Sequence, residues 1–308
     1  MKRIFLLLTI VAAATNCVLF AQRKAAEEMC GFPLHDGVER VTSTHYSLEI
    51  SSGKYVRNIV NVEEYLFNEA GNVAEEVSYN PDKSLDFRRA FKYDSKGNKT
   101  EVAKYKSDGS LDKKAIFKYD SNGNMTEEAY YNPDNSLDFR RTYQYDSNGN
   151  MTEEAYCRSD GSLGSKDTYK YEYDSKGNKT EKLRYYPNGS LWISHKYDSK
   201  GNETEVKKYL PNGSLDLKSI FKYDSKGNLT EMAHYRSDGS SDGKLVYQYD
   251  TDGNLMELTD YYNDGSLWGK TTYKCNSEKS LIEYTTYEYD GESFVPKYLT
   301  TFAITYRK

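Results

Sequence analysis

Glutamate has the most regular placement among the residues that could do acid–base chemistry in this 308-residue sequence. It recurs eight residues after one aromatic position of an internal repeat. The nine copies are Glu75, Glu101, Glu127, Glu153, Glu181, Glu205, Glu231, Glu257 and Glu283. Such a row could line a binding surface, but a catalytic carboxylate is normally distinguished by its surroundings, and these are repeated. We therefore interpret the row as a ladder that fixes strand register, with each carboxylate hydrogen-bonded to a neighbouring Tyr hydroxyl.

Other patterns that could carry catalysis or bind metal are weak. The Asp that follows the repeated Tyr could bind calcium, but the loops lack the closely spaced Asp and Asn residues of calcium-binding loops. An Asp whose side chain hydrogen-bonds the backbone of its own turn accounts equally well for its recurrence at this position. The histidines are scattered, at His35, His45, His195 and His234. No HExxH, GxSxG or phosphate-binding loop is present. The sequence thus predicts no catalytic residue, no metal site, no cofactor and no enzyme, and a glycan-active enzyme using the Glu row is the least favoured alternative.

Two tryptophans interrupt the repeat. Trp192 and Trp268 each directly follow a Leu, in a slot where most units carry Asp. Strand alternation predicts that this slot lies on the polar face, which would leave two large rings exposed. Exposed aromatic rings often mark a contact for sugar or protein. Trp192 and Trp268 are therefore the candidate binding residues, and the alternative is that they pack on Lys side chains of adjacent strands.

The element that must position these residues is a repeat of 26 residues. Tyr-Asp pairs begin at Tyr93, Tyr119, Tyr145, Tyr173, Tyr197, Tyr223 and Tyr249. Degenerate copies at Phe67 and Cys275 complete nine units, which span residues 67–300. A fixed period of this size is typical of repeat architectures.

Each unit contains two turns whose third residue is nearly always Gly, such as Ser95-Lys96-Gly97 and Ser107-Asp108-Gly109. They predict three-residue hairpin loops in which the Gly adopts a positive φ. The intervening segments are too short for helices, so neighbouring strands must be antiparallel. Sheets rarely exceed about ten strands without curling. We predict an all-β fold, a long antiparallel meander of tandem double hairpins forming one coiling sheet, with Tyr105 and the Glu row on its aromatic face.

The remaining segments flank the repeats. Residues 1–21 are typical of a secretory signal peptide, and a lipoprotein signal with a lipid anchor at Cys17 is the alternative. Residues 22–66 are interpreted as an N-terminal cap that covers the first strand edge, and residues 301–308 as a closing strand. The chain is predicted to be secreted, periplasmic or at the cell surface, with no stretch apolar enough to span a membrane.

Composition limits the partners. The net charge is −5 and 37% of the residues are hydrophobic. Mixed Lys and Glu in a mildly acidic chain give no electrostatic reason to expect nucleic acid or an anionic membrane as partner. Cys30, Cys157 and Cys275 have irregular spacing, which fits neither a disulfide framework nor a zinc site. Cys157 and Cys275 replace repeated Tyr residues and are interpreted as small buried substitutes.

The repeated spelling YDxxGN…Yxx(D/N)GSL…(F/Y)xYD resembles the YD repeat of the RHS family, over about three quarters of the chain. That resemblance implies a spiralling antiparallel sheet, which in large toxins of the family wraps around a toxic C-terminal domain. We expect only the repeat region here, without a toxin domain.

These observations favour a secreted or surface-displayed, non-enzymatic repeat scaffold that presents an extended β-sheet to a protein or glycan. The alternative is an RHS-like shell or accessory protein that encloses or chaperones a separately encoded effector. The shell hypothesis requires a sheet that closes.

Overall fold

The computed structural model describes residues 37–307, and every element in this range is a β-strand. The predicted signal peptide, Cys17, Cys30 and His35 lie outside the described residues. The strands are β1 (Val38–Ser51), β2 (Lys54–Phe67), β3 (Val73–Tyr79), β4 (Leu85–Tyr93), β5 (Lys99–Lys106), β6 (Leu111–Tyr119), β7 (Met125–Tyr131), β8 (Leu137–Tyr145), β9 (Met151–Arg158), β10 (Leu163–Tyr173), β11 (Lys179–Tyr185), β12 (Leu191–Tyr197), β13 (Glu203–Tyr209), β14 (Leu215–Tyr223), β15 (Leu229–Arg236), β16 (Ser241–Tyr249), β17 (Leu255–Tyr261), β18 (Leu267–Cys275), β19 (Leu281–Tyr289) and β20 (Phe294–Tyr306). The prediction of an all-β fold is confirmed.

The twenty strands belong to one antiparallel sheet, and the sheet is closed. The first strand pairs with the last, in a register that runs from Val38↔Tyr306 to Ser47↔Tyr298. The predicted open, coiling RHS-like solenoid is therefore wrong. The physical reason is the free-energy cost of unpaired backbone groups at the two edges of an open sheet. β1 and β20 are of similar length, and each satisfies the backbone N–H and C=O groups of the other. A cap or a charged end would have covered these groups without pairing them.

By compactness the chain divides into two units. The first unit comprises residues 37–114, 273–285 and 296–307 of the described chain. Its core consists of Val38, Val41 and Phe67, which are at most 6% exposed. Partly buried side chains pack against this core from Tyr65, Val73, Phe302 and Ile304. β1, and β2 apart from its last residue, lie within residues 22–66, the segment interpreted as a cap, and the capping role stays a prediction.

The second unit comprises residues 115–272 and 286–295. Its buried apolar residues are mostly small or single, as with Ala129, Ala155, Leu245 and Leu258. Many of its larger side chains are half-buried aromatic or charged residues rather than aliphatic ones. This unit therefore depends on rings and ion pairs where a sandwich of two sheets would depend on aliphatic packing.

The hairpin loops have the predicted geometry. In the loop after β4, the Gly97 N–H donates to the Asp94 carbonyl at 3.1 Å, and the Asp94 N–H donates to the Asn98 carbonyl at 2.9 Å. Gly97 has φ 86°. Lys83 and Lys279, which break the Gly rule, nevertheless adopt positive φ values of 67° and 65°. The loop geometry thus persists where the preferred residue is missing.

The repeated Tyr has a structural role through its hydroxyl. Tyr93 donates to the Val73 carbonyl at 2.8 Å, and Tyr145 donates to the Met125 carbonyl at 2.7 Å. In β10 the Tyr-Asp pair begins 28 residues after Tyr145, and not 26. Tyr171, which lies 26 residues after Tyr145, makes the equivalent bond to the Met151 carbonyl at 2.8 Å in place of Tyr173. A half-buried ring whose hydroxyl bonds a neighbouring hairpin explains why the position is Tyr and not Phe.

The two faces of the sheet differ, and the register defines them. We call the side that carries Phe87 and Phe91 the aromatic face and the opposite side the ladder face. Residues paired across strands share a side, and Lys92 pairs with Glu101 while Arg88 pairs with Tyr105. Tyr105 and the Glu row therefore lie on the ladder face, and the predicted placement on the aromatic face is wrong. The cause is a β-bulge where each Tyr meets the next strand, as at Ser78/Tyr79, which inverts the alternation.

Gly243 gives a first prediction about stability. Its φ is 113°, and an added Cβ would lie 2.7 Å from the Tyr261 carbonyl oxygen. We expect Gly243→Ala to lower the free energy of unfolding by about 2 to 4 kcal/mol, from strain and overlap together. Gly239→Ala is the control, because its φ is 82° but nothing lies within 4 Å of its added Cβ. Equal losses in chemical denaturation would show that the close approach to Tyr261 does not matter.

Candidate functional site

The Glu row forms a ladder of ion pairs on the ladder face. Glu231 contacts Lys222 at 2.7 Å on the preceding strand and Lys244 at 3.5 Å on the following strand. The hydrogen bond from Lys222 is the main cause that lowers the pKa of Glu231. The same arrangement recurs with other copies, in the pairs Lys92–Glu101, Lys118–Glu127, Lys166–Glu153, Lys218–Glu205, Lys270–Glu257 and Lys274–Glu283. The partners are cations and not the predicted Tyr hydroxyls, because the bulges bring basic residues to this side.

The Asp of each Tyr-Asp pair bonds its own turn. Asp94 accepts hydrogen bonds from the backbone N–H groups of Lys96 and Asn98 and from the Asn98 side chain, at 2.8 to 2.9 Å. The Asn98 side chain is the largest cause that lowers the pKa of Asp94. Among the described residues, no three His, Cys, Asp or Glu side chains are grouped as a metal site would need. The carboxylates of these turns are thus held by the loop itself.

A denser arrangement lies on the aromatic face of the second unit. The Arg184 network comprises Glu154, Asp167, Tyr169, Arg184 and Trp192. One terminal nitrogen of Arg184, Nη2, lies 2.6 Å from Asp167 Oδ2 and 3.1 Å from Glu154 Oε2. The Tyr169 hydroxyl donates to Glu154 at 2.8 Å, and Asp167 and Tyr169 are 9% and 8% exposed. Burial is the main cause that raises the pKa of Tyr169, which keeps the hydroxyl a donor.

A second cluster of the same kind adjoins it along the chain. Glu128, 6% exposed, accepts hydrogen bonds from Arg141 at 3.0 Å and from the Tyr143 hydroxyl at 2.8 Å. Tyr130 donates to the same carboxylate at 3.3 Å and stacks on Phe139 with ring centroids 4.3 Å apart. Burial, and then the bond to Glu128, raise the pKa of Tyr143. The Glu128 carboxylate is therefore occupied by donors from three neighbouring side chains.

Trp192 belongs to the Arg184 network. The guanidinium carbon of Arg184 lies 4.2 Å from the centre of its ring, and Tyr186 stacks on it at 5.1 Å. Arg184 lies on the aromatic face, because it pairs with Tyr169 and Ile193. The contact between its guanidinium and the indole places Trp192 on that face too, and not on the polar face predicted from alternation. The bulge at Arg184/Tyr185 is again the cause. Trp268 follows the equivalent bulge at Asp260/Tyr261, and both indoles are half-buried.

Asp260 is a feature that the sequence did not single out. It lies between Leu245 and Gly269 on the neighbouring strands and is 8% exposed. Its Oδ2 atom is buried with no hydrogen-bond partner among the described residues. Burial raises the pKa of Asp260 to about 6. The equivalent position of the three preceding units holds Arg184, Lys208 and His234. Only an alignment of the repeat units, position by position, would therefore have drawn attention to Asp260.

Smaller features complete the description. Cys157 and Cys275 are half-buried, so they are less buried than predicted. A depression of ≈ 260 Å³ at one end of the second unit's strands is lined by Asn178, Lys179, Tyr197, Ser199, Lys200 and Gly201. Over residues 37–307, the structure contains no helix long and apolar enough to cross a membrane.

Comparisons with known proteins give three findings. A family described as "Uncharacterised protein" matches residues 66–194, less than half of the chain. No curated protein matches the sequence. The third finding is a set of similar solved structures.

Among these structures is TcdB2-TccC3, at 12% identity and TM-score 0.28, with 84% of this chain and 20% of that chain covered, so the chain spans about a fifth of its length. A porin-like protein from Bacteroides uniformis is 10% identical with TM-score 0.33, and 87% of this chain and 96% of that chain are covered. One from Bacteroides vulgatus is 10% identical with TM-score 0.28, at 88% and 98% coverage. At these TM-scores the similarities support no inference about function, and the resemblance to the YD repeat rests on the repeated motifs.

Proposed function

We propose that this chain is a secreted, periplasmic or surface-displayed repeat scaffold without enzymatic activity, which presents its β-sheet to a protein or glycan partner. The observation that carries the proposal is the state of the acidic side chains. Glu231 on the ladder face and Glu128 and Glu154 on the aromatic face are each held by at least two neighbouring groups. A general acid needs a pKa near the working pH, whereas the hydrogen bond from Lys222 lowers the pKa of Glu231. Glu128 and Glu154 are occupied by Arg and Tyr donors that link neighbouring strands.

Aromatic rings beside paired charges support a binding surface. Half-buried Trp and Tyr rings with Arg and carboxylate groups are common where proteins bind sugars or other proteins, because the rings bury area and the charged groups fix orientation. Trp192 and Trp268 remain the proposed binding residues. The partner is a macromolecule, with no role for nucleic acid.

A shell or accessory role is the second candidate, and one observation favours it. The β1–β20 pairing closes the sheet, which is what the shell hypothesis requires and an open scaffold does not. In that case the protein would enclose or chaperone an effector encoded elsewhere. Binding of one unfolded client would distinguish it from a scaffold that binds folded proteins or glycans at a cell surface.

The test is capture from the surface and secretions of the producing cells with the immobilised protein, read by mass spectrometry for proteins and by glycan analysis for sugars. We expect retention of a surface protein or glycan by the wild type and at least about tenfold weaker retention by Trp192→Ala/Trp268→Ala, since a lost aromatic contact costs on the order of 1.4 kcal/mol or more. Met256→Ala, an exposed apolar residue 48% accessible, is the matched control.

Circular dichroism first checks that all three proteins are folded. Equal retention by the double variant and the control would remove the two tryptophans from the site. Recovery of a single unfolded effector would replace the scaffold proposal with the accessory role, and turnover of a captured glycan would refute the absence of enzymatic activity.

A further inference from the structure

The hairpin of β1 and β2 extends beyond the sheet on both sides. Pairing of β1 with β20 ends at Ser47↔Tyr298, and pairing of β2 with β3 begins at Val62↔Tyr79. Between them the two strands pair only with each other in the part of the chain that the structure describes, as far as Ser51↔Lys54. We call this segment, residues 48–61, the hairpin arm. Its turn is formed by Ser52 and Gly53, both at positive φ, as a two-residue loop requires.

Apolar side chains are concentrated on the hairpin arm. Across residues 37–307 the exposed large hydrophobic residues are Ile50, Tyr55, Val56, Ile59, Val60, Leu163, Tyr173, Leu210, Met256, Tyr262, Tyr298 and Tyr306. Five of these twelve belong to the arm, at 41% to 63% exposure, while the others are spread over the rest of the chain. Single exposed apolar residues need no explanation, but a contiguous group on one projection indicates an interface.

The arm is also open along its strand edges. Over residues 54–61 the outer backbone groups of β2 have no partner strand among the described residues. A two-stranded hairpin is marginally stable by itself in water, and a long exposed edge invites another strand. Pairing of the arm with an additional strand would therefore stabilise it, and the question is which strand fits.

The sequence along the edge of β2 favours pairing with a second copy of the same strand. When two copies pair antiparallel about a two-fold axis, one residue, the centre, lies opposite its own copy. Centres at Arg57 and at Asn58 each pair nearly all of residues 54–61. A centre at Arg57 opposes two guanidinium groups. A centre at Asn58 opposes two amides, sets Val56 against Val60, and places Arg57 against Ile59. Like charges directly opposite each other destabilise a strand pair, whereas apolar pairs stabilise it, so the Asn58 centre is preferred.

We propose that the hairpin arm is a dimerisation element, in which β2 of one copy pairs antiparallel with β2 of a second copy about Asn58. The product is a four-stranded sheet in which each copy contributes β1 and β2. In that sheet Leu48, Ile50 and Tyr55 of each copy lie on the same side, because Leu48 pairs with Arg57 and Ile50 with Tyr55 across each arm. Main-chain hydrogen bonds supply the affinity and the alternate side chains supply the register.

Sedimentation velocity over a range from about 0.1 to 200 μM tests the proposal, because a specific interface of this kind falls in the micromolar range or tighter. We expect a dimer for the wild type and at least about a 100-fold rise in the dimer Kd for Val56→Asp/Val60→Asp, because the Asn58 centre sets the two new carboxylates of one copy directly against those of the other. Leu210→Asp/Met256→Asp is the matched control, since it adds the same two charges at exposed apolar positions outside the hairpin arm.

A disulfide cross-link tests the register independently. In a background with Cys30, Cys157 and Cys275 replaced by Ser, Asn58→Cys should form an intermolecular disulfide, whereas Glu49→Cys on the other strand of the arm should not. A monomer throughout the concentration range, a dimer that survives Val56→Asp/Val60→Asp, or efficient cross-linking only at Glu49 would each overturn the proposal. Binding of phosphatidylcholine vesicles through the arm by a monomeric protein would overturn it as well.

Discussion

Replacement of Arg184 by Ala is expected to cause the largest loss of stability, about 3 kcal/mol or more in the second unit. The change leaves Asp167 and Glu154 on the aromatic face without the cation that lies 2.6 and 3.1 Å from them. Asp167 is only 9% exposed, so water cannot replace the lost guanidinium. Removal of one partner from a buried ion pair costs more than the pair itself contributes, because a charge stays buried without compensation.

Trp192 provides a local probe for this experiment, since Arg184 stacks on its ring at 4.2 Å. Urea denaturation followed by fluorescence in a Trp268→Phe background therefore reports on the network itself. Arg236→Ala is the control: Arg236 contacts Asp242 at 2.6 Å, but their side chains are 46% and 38% exposed. The control should change the free energy of unfolding by less than about 1 kcal/mol. Equal losses in the two variants would show that the Arg184 network is not effectively buried.

Arg184→Lys separates charge from geometry. A lysine keeps the positive charge, but it lacks the planar group that stacks on Trp192 and the fixed donors of a guanidinium. We expect a loss between those of Arg184→Ala and the exposed control. The comparison measures how much of the stability of the network depends on the shape of the guanidinium group and how much depends on its charge.

The local structure of the repeat could be predicted from the sequence because the conformation of each turn depends on residues within that turn. Gly97 and its equivalents require positive φ, and the Asp94 carboxylate can bond only the loop that follows it, so the hairpins were determined by a few neighbouring residues. Short-range chemistry of this kind is readable without knowledge of the fold.

The assignment of residues to faces failed because it depends on bulges. One extra residue lies opposite Ser78/Tyr79, and one lies opposite each equivalent pair of residues. It moves the Leu at the start of the next strand to the ladder face, and the residue after that Leu, which is Trp192 in one unit, to the aromatic face. Nothing in the composition of the loop distinguishes a hairpin with such a bulge from one without it. Alternation was therefore correct within each strand and wrong across the strand junctions, which misplaced Tyr105, the Glu row and Trp192.

Closure of the sheet was unpredictable for a different reason. It depends on a pairing between residues as far apart as Val38 and Tyr306, and no local signal links them. The rule that open sheets curl predicts twist but not whether the two ends meet. Asp260 escaped attention for a related reason: its Oδ2 atom lacks a partner because of what surrounds it, and not because of any motif.

Asp260→Asn is the second large effect, and it should stabilise the protein at neutral pH. The pKa of Asp260 is about 6 in the folded chain against an ordinary value of 3.8. The unfolded chain therefore releases this proton before the folded chain does. The favourable contribution of the protonated carboxyl is complete below pH 3.8 and is lost as the pH rises to about 6, so above that pH the wild type carries a fixed penalty.

The full shift corresponds to about 3 kcal/mol, and partial screening by solvent reduces the expected gain of Asp260→Asn at pH 7.5 to about 1 to 2 kcal/mol. The amide is nearly the same size and remains neutral, so Leu245 and Gly269 keep their packing. Urea denaturation at pH 4, 5, 6 and 7.5 should show a gap between variant and wild type that opens between pH 4 and 6 and then stays constant. Asp250→Asn, which removes a turn acceptor with a lowered pKa, should instead destabilise at pH 7.5. A gap that is already present at pH 4, or one that widens only above pH 7, would mean that a group other than the Asp260 carboxyl is responsible.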